Sequence, residues 1–421
     1  MNYKGSALLV LVTAVVVKLW PILFCRRPTF EYGGSVEPSF AKVEQIFRSN
    51  FESGWETAGA AFAVYHNGEK VVDLWGGFAD REAGRLWKED TLTIIYSTTK
   101  AITSLCLAMC VDRGYLHYDD LVIKYWPEFG AQGKDNVTVE MLAGHKAGVP
   151  ALDDFVSKEV IQNRQRMGDL LAQQKPYWPP GVRKGYHAFT QGYLIDQLVE
   201  RVDPKHRSVS QFLKEELTEP FGLDIWIGLP LELWHRVARG ELASSLQMLS
   251  FLRFPDYIRL QMGMWKSLLD SESLWQKLFQ TEIVMKQGLT PFNNPEVGGS
   301  LEIPAANGIA AARAVARLFD MVLQGKIIRP ELVKTLSTPV NVDDYDEVFN
   351  IKTSTGFGFF HTRNPEGEWQ FGSPGYGGQN LKVDINKGLS IVYVTNGLGP
   401  DLGDMNLRFN ALTDAVYDSL N

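Results

Sequence analysis

Ser97 and Lys100, in the stretch Tyr96-Ser97-Thr98-Thr99-Lys100, place a hydroxyl and an amine three residues apart. The residues that follow, 101–112, read Ala-Ile-Thr-Ser-Leu-Cys-Leu-Ala-Met-Cys-Val-Asp and predict a helix that stops at Gly114. Three residues is just under one helical turn, so the two side chains share a face. A serine hydroxyl is a poor nucleophile at neutral pH until a neighbour takes its proton, and a desolvated lysine can take it or can lower the pKa of another base. The helix N-terminus adds partial positive charge where an alkoxide or oxyanion would form. Spacing alone does not single this pair out, because Ser39-Phe40-Ala41-Lys42 repeats it. That copy follows Pro38 and opens the amphipathic run Phe40, Val43, Ile46, Phe47, which makes Ser39 the expected N-cap of a helix.

Two further stretches separate the copies. Trp178-Pro179-Pro180-Gly181 leads into Tyr186-His187-Ala188-Phe189-Thr190-Gln191-Gly192-Tyr193, and Phe371-Gly372-Ser373-Pro374-Gly375-Tyr376-Gly377-Gly378-Gln379 follows near the C-terminus. Ser-x-x-Lys, then a Tyr in a loop before a helix, then a Gly-rich strand resembles the serine β-lactamase and penicillin-binding-protein superfamily. The closer likeness is to its esterase branch, the β-lactamase-related carboxylesterases and the eukaryotic β-lactamase domain-containing proteins. Trp75-Gly76-Gly77-Phe78-Ala79-Asp80, Phe221-Gly222-Leu223-Asp224 and His235-Arg236-Val237-Ala238 share that likeness, which runs from about Phe30 to the end.

The resemblance implies a serine hydrolase acting on small-molecule esters through an acyl-enzyme on Ser97. It makes Lys100 and Tyr186 the proton-transfer partners. A free Tyr has a pKa near ~10 and is a poor base at neutral pH, so the expectation is that the Lys100 ammonium favours the Tyr186 phenolate. His187 is the second candidate base. Ser373 and Gly375 stand where the family has a Lys/His-Thr/Ser-Gly strand, with the backbone N–H groups of Tyr376 and Ser97 implied as the oxyanion hole. Asn307 is read as the cap of a helix running to Gln324, and His145 as a structural loop histidine. Two departures bear on substrate. Ala188 replaces the Asn of Tyr-x-Asn, and Ser373 replaces the Lys of Lys-Thr-Gly, removing an amide and a cation that would grip a β-lactam. A charge-assisted contact of that kind is worth roughly 1.5–3 kcal/mol, so neutral esters are the expected substrates. The competing classes are a peptidase or amidase, and a membrane-tethered scaffold of the same fold that has lost catalysis.

The elements that must hold these residues follow from the pattern of the chain. Residues 58–77 form two β-rich runs joined by Asn67-Gly68, a hairpin signal, and strands are expected over 356–360, 368–372, 380–385 and 389–396, before a helix over 405–420. Strands at both ends around a mostly helical middle predict an α+β fold, with one antiparallel sheet built from the chain ends and an inserted helical region. That is the β-lactamase/transpeptidase-like fold. A hydrophobic content of 45% supports a large core, and a net charge of −7 without like-charge blocks excludes a nucleic-acid binder. No His-Glu-x-x-His and no phosphate loop is present, so neither metal nor cofactor is expected. Cys106 and Cys110, at i and i+4 among apolar residues, read as core. The stretch 230–289, rich in Trp, Leu and Met, reads either as an acyl-chain groove or as core packing. Asn136-Val137-Thr138 is a glycosylation sequon whose structural reading is the lead into a helix.

Residues 1–29 read as a separate segment ahead of a β-lactamase-related domain over 30–421. Gly5 to Cys25 is about the length that crosses a bilayer, interrupted by Lys18 and followed by Arg26-Arg27. It is expected to be an uncleaved membrane anchor, a single transmembrane helix, and the protein is secreted if it is instead a cleaved signal.

Overall fold

Strands from the two ends of the chain meet in one antiparallel sheet. Leu389–Thr395 pairs with Gly59–His66, so residues more than 300 positions apart form the centre of the sheet. From one edge to the other the order is Tyr32–Val36, Glu69–Asp80, Gly59–His66, Leu389–Thr395, Asn380–Asp384, Trp369–Pro374, Phe359–Arg363, Ile351–Gly356 and Asn341–Asp346, with Arg85–Leu86 pairing off Glu69–Asp80. The computed structural model describes residues 30–243, 255, 257–259, 262, 270, 273–288, 290–400 and 403–420.

The central strand Leu389–Thr395 is buried at every position, because helices cover both faces of the sheet. Its alternate side chains divide between two layers. Val392 and Val394 join Val315, Phe319 and Val322 of the helix Ala312–Leu323, while Tyr393 and Phe62 meet Phe409 of the helix Leu407–Asp418. This is the expected α+β, β-lactamase/transpeptidase-like fold, with a helical insertion between the two sets of strands. A second, three-stranded sheet, Thr93–Tyr96, Gly308–Ala310 and Ile225–Trp226, aims the chain toward the candidate site.

Several local expectations hold. Asn67 and Gly68 both have positive φ (49° and 92°), as the tight hairpin turn requires. Thr138 caps the helix Val139–Ala143 by accepting from the Met141 N–H at 3.1 Å, so the sequon is also a helix start. Cys106 and Cys110 are buried free thiols, held protonated chiefly by desolvation.

Others are corrected. The strand expected over 356–360 is two strands, Ile351–Gly356 and Phe359–Arg363, reversed at Phe357 and Gly358 with φ of 57° and 90°. Ser39 is not an N-cap: it lies exposed in a 3-10 turn, and the helix Ala41–Glu52 starts from Phe40 without a side-chain cap. Asn307 does not cap a helix either. Its amide spans a turn, accepting from Ile303 N–H at 2.9 Å and donating to Leu301 O at 2.7 Å, and a strand intervenes before the helix Ala312–Leu323.

The expectation of a membrane-spanning helix is also corrected: among the described residues no helix is long and apolar enough to cross a membrane. Gly5 to Cys25, the segment on which that expectation rests, lies outside the described residues. So do Met248, Met264 and Trp265 of the 230–289 stretch. Of that stretch's described residues, Trp234 packs on the core while Met262 and Met285 face solvent.

Candidate functional site

Tyr96 turns the chain from the strand Thr93–Tyr96 into the helix Thr99–Asp112. Its φ of 45° is a left-handed conformation that a bulky residue rarely adopts. It is held there by ring contacts to Phe292 at 5.8 Å and Tyr376 at 5.3 Å, and by the Thr99 hydroxyl, which donates to its carbonyl. The result sets Ser97 half-buried immediately before the helix, with its oxygen open to two partners.

One partner is Lys100, which is 1% exposed. Its Nζ lies 3.3 Å from Ser97 Oγ and donates to Ala188 O at 2.7 Å and to Ala305 O at 2.9 Å. Burial holds its pKa well below the ordinary lysine value. Nζ thus has three oxygen neighbours, two of them fixed carbonyls and the third the serine hydroxyl.

The other partner is Tyr186, whose hydroxyl donates to Ser97 Oγ at 2.7 Å. The ring stacks on Phe349 with centroids 4.5 Å apart, and Lys100 Nζ sits 4.8 Å from the ring centroid. The phenolate expected from the sequence is not what this environment favours. Desolvation raises the Tyr186 pKa and Asp346 adds to the rise, while Lys100 is itself pushed toward neutrality. Burial thus works against both charged forms, the phenolate of Tyr186 and the ammonium of Lys100.

His187 is turned away from the site. Its Nδ1 meets Gly185 O at 2.6 Å and its Nε2 accepts from Val149 N–H at 3.2 Å, so both ring nitrogens serve the backbone. His145, also fully buried, accepts from the His187 N–H at 3.2 Å and lies 5.1 Å from the Tyr186 ring.

The Gly-rich strand closes the far side. The Ser373 hydroxyl donates to Ser97 O at 2.8 Å, and the Thr98 hydroxyl donates to Ser373 O at 3.1 Å. Ser373 is thus spent on the turn that carries Ser97. Gly375 has no room for a side chain: a Cβ there would lie 2.6 Å from Ile95 O, 2.8 Å from Gln379 Cβ and 2.9 Å from Thr98 Oγ1. Tyr376 begins the 3-10 turn Tyr376–Gly378, where a first-turn N–H has no partner within the turn itself. A buried ion pair fixes that turn from behind. Arg408 Nη1 donates to Glu56 Oε2 at 2.9 Å, Arg408 Nη2 donates to Gly377 O at 2.8 Å, and the Tyr393 and Thr395 hydroxyls complete the carboxylate's shell.

Ser97, Lys100 and Tyr186 thus meet within hydrogen-bonding range, and Ser373 and Gly375 abut them. The second Ser-x-x-Lys does not form a comparable group: Ser39 and Lys42 are exposed, and Lys42 pairs with Asp418 at 2.6 Å. Sequence reasoning missed the two carbonyls that hold Lys100 and the carboxylate of Asp346 behind Tyr186. Every residue has a carbonyl, so no residue type marks those two.

The protein-family model described as Beta-lactamase matches residues 47–415. The chain belongs to the beta-lactamase family. Among curated relatives, "Esterase/beta-lactamase LipL" of Mycobacterium tuberculosis is 33% identical over 301 residues, covering 69% of this chain and 64% of that protein, so the match spans just under two thirds of the relative's own length. Among solved structures, a family VIII carboxylesterase superimposes with a TM-score of 0.79 at 30% identity, covering 92% of this chain and all (100%) of the other. A penicillin-binding-protein homolog from Caulobacter crescentus gives 0.75 at 33% identity, with the same 92% and 100% coverage.

Proposed function

We propose that this member of the beta-lactamase family is a serine hydrolase that cleaves small neutral esters through an acyl-enzyme on Ser97. The observation that carries the reading is the position of Ser97 Oγ, 2.7 Å from the Tyr186 hydroxyl and 3.3 Å from Lys100 Nζ. As Oγ attacks the ester carbonyl, its proton passes to the lone pair of neutral Lys100. The carbonyl oxygen becomes an oxyanion facing the backbone N–H groups of Ser97 and Tyr376. Collapse of the tetrahedral intermediate breaks the C–O bond to the alcohol, and Tyr186 protonates the departing oxygen. Lys100 returns its proton to the phenolate, so both groups regain their starting states. Water then attacks the acyl-serine, gives up one proton through the same pair and releases the acid. Burial supports these roles, since it lowers the pKa of Lys100 and raises that of Tyr186.

The ester reading is supported by the esterase and carboxylesterase names of the similar proteins and by Ala188 and Ser373. Ala188 offers only a methyl group, and the Ser373 hydroxyl is engaged with Ser97 O. The test is incubation of folded protein with a fluorophosphonate followed by mapping of the adduct. Ser97 is labelled and Ser39 is not, and Ser97→Ala abolishes p-nitrophenyl ester turnover while leaving the fold intact. Labelling at Ser39, or unlabelled Ser97 on folded protein, overturns the reading.

A further inference from the structure

The hairpin 341–356 forms one edge of the main sheet, far in sequence from Ser97, Lys100 and Tyr186, yet it reaches the candidate site. The segment that carries Tyr186 lies against it like an added strand. Lys184 bridges Asp346 in parallel, Glu347 N–H donates to Lys184 O at 2.9 Å, and Lys184 Nζ donates to Asp344 O at 2.8 Å. The turn of the hairpin then does two things at once. A single buried oxygen, Asp346 Oδ1, accepts from the backbone N–H of Tyr186 at 3.1 Å and from those of Val348 and Phe349 at 3.0 Å each. The same oxygen therefore fixes both the main chain of Tyr186 and the main chain of the residue stacked on its ring. Phe349 lies 26° from parallel with that ring, 4.5 Å away. Asp346 is 1% exposed, and its bonds to Val348 and Phe349 also close the turn of the hairpin.

A phenol fixed only by its hydroxyl could swing about its side-chain torsions. The bond to its N–H and the stacked face of Phe349, with His145 and Phe360 beside the ring at 5.1 and 6.0 Å, hold Tyr186 in the rotamer that puts its oxygen 2.7 Å from Ser97. We propose that Asp346 and Phe349 are positioning residues for proton transfer, a clamp by which the edge hairpin sets the aim of Tyr186. The proposal rests on the reading of Tyr186 as a proton-transfer group.

The test is a double-mutant cycle on the full chain, with p-nitrophenyl butyrate as substrate and thermal unfolding measured alongside. Asp346→Ala and Phe349→Leu each lower kcat by about 10–100-fold with KM nearly unchanged, because misaligning a reacting group by about 1 Å costs this much. Asp346→Asn, which keeps an oxygen able to accept the three N–H bonds, recovers most of the loss. In a Tyr186→Phe background neither substitution lowers kcat further, since there is no hydroxyl left to aim, while the loss in Tm persists. Losses of kcat that multiply in that background, or Phe349→Leu at the wild-type rate, overturn the clamp. Phe349→Leu conserves apolar bulk and serves if Asp346→Ala does not fold. Tyr186→Phe at the wild-type rate is a separate result that removes the role of Tyr186 itself.

Discussion

Gly375→Ala is the smallest change that disturbs the nucleophile without touching it. The backbone is not the obstacle, because φ is −119° there and suits any residue. The obstacle is Ile95 O, 2.6 Å from where the new methyl would sit. That carbonyl accepts the Thr98 N–H at 3.0 Å and so closes the turn that presents Ser97. To restore ordinary contact the strand and the turn must separate by about 0.8 Å, and Thr98 Oγ1, 2.9 Å from the same methyl, must move too. Both hydrogen bonds that join Ser373 to the 97–98 turn then lengthen toward breaking. A shift near 1 Å in a reacting group costs about 10²-fold in rate, while overpacking of this kind costs about 1–3 kcal/mol of stability. The assay is kcat/KM for p-nitrophenyl butyrate, the rate of fluorophosphonate labelling and Tm on one preparation. Both rates fall about 100-fold, with Tm still well above the assay temperature. Labelling and turnover within threefold of wild type, in a protein that carries the methyl, would refute the view that the Gly-rich strand sets the position of Ser97.

Two more outcomes are expected. Short-chain p-nitrophenyl esters are hydrolysed faster than any cephalosporin, since Ala188 and Ser373 supply neither the amide nor the cation a β-lactam needs; the reverse order, measured by spectrophotometric turnover, sinks this argument. His187 and His361, buried and held near pKa about 4 chiefly by desolvation, make stability depend on pH. Both are neutral in the folded protein and titrate near ~6.5 when unfolded, so the unfolded chain binds more protons between these values. The contribution of each histidine is therefore full above about pH 6.5 and is lost by about 3 kcal/mol as the pH drops toward 4, while Asp196, whose pKa burial raises to about 7, shifts stability the other way over the same range. The check is the difference in Tm between wild type and His361→Gln, which should narrow or reverse as the pH falls from 7 to 4; a difference that does not change with pH contradicts the argument.

Ser97, Lys100 and Tyr186 were legible because each is a chemically distinctive type in a fixed local frame: three residues along one helix, or a Tyr beside a Pro-Pro-Gly turn. The sheet drawn from both chain ends was legible from strand runs and the Asn67-Gly68 turn. What was not legible has one physical cause, that the partners are either backbone or remote. Ala188 O and Ala305 O hold Lys100 through groups common to every residue. Asp346 meets Tyr186 across 160 positions of sequence. The turn at Phe357-Gly358 hid inside an apparently continuous strand because Phe is not a residue that announces positive φ. The rise in the Tyr186 pKa was not legible for a related reason: the sequence shows that a Lys and a Tyr are neighbours, but not that both are buried.

The Glu56–Arg408 pair gives the site a dependence on the order of synthesis. Ser97, Lys100 and Tyr186 leave the ribosome early, when the strand Leu389–Thr395 that centres the sheet has not been made. The turn at Gly377 is anchored by Arg408, which is made more than 300 residues after Ser97, and its counter-charge, Glu56, lies ahead of the strand Gly59–His66. Contacts of such long sequence separation must first meet the entropy of closing a long loop, which slows their formation. A stalled or prematurely terminated chain therefore carries the whole motif and none of its geometry, so any hydrolytic competence is withheld until residues beyond 408 have emerged and docked.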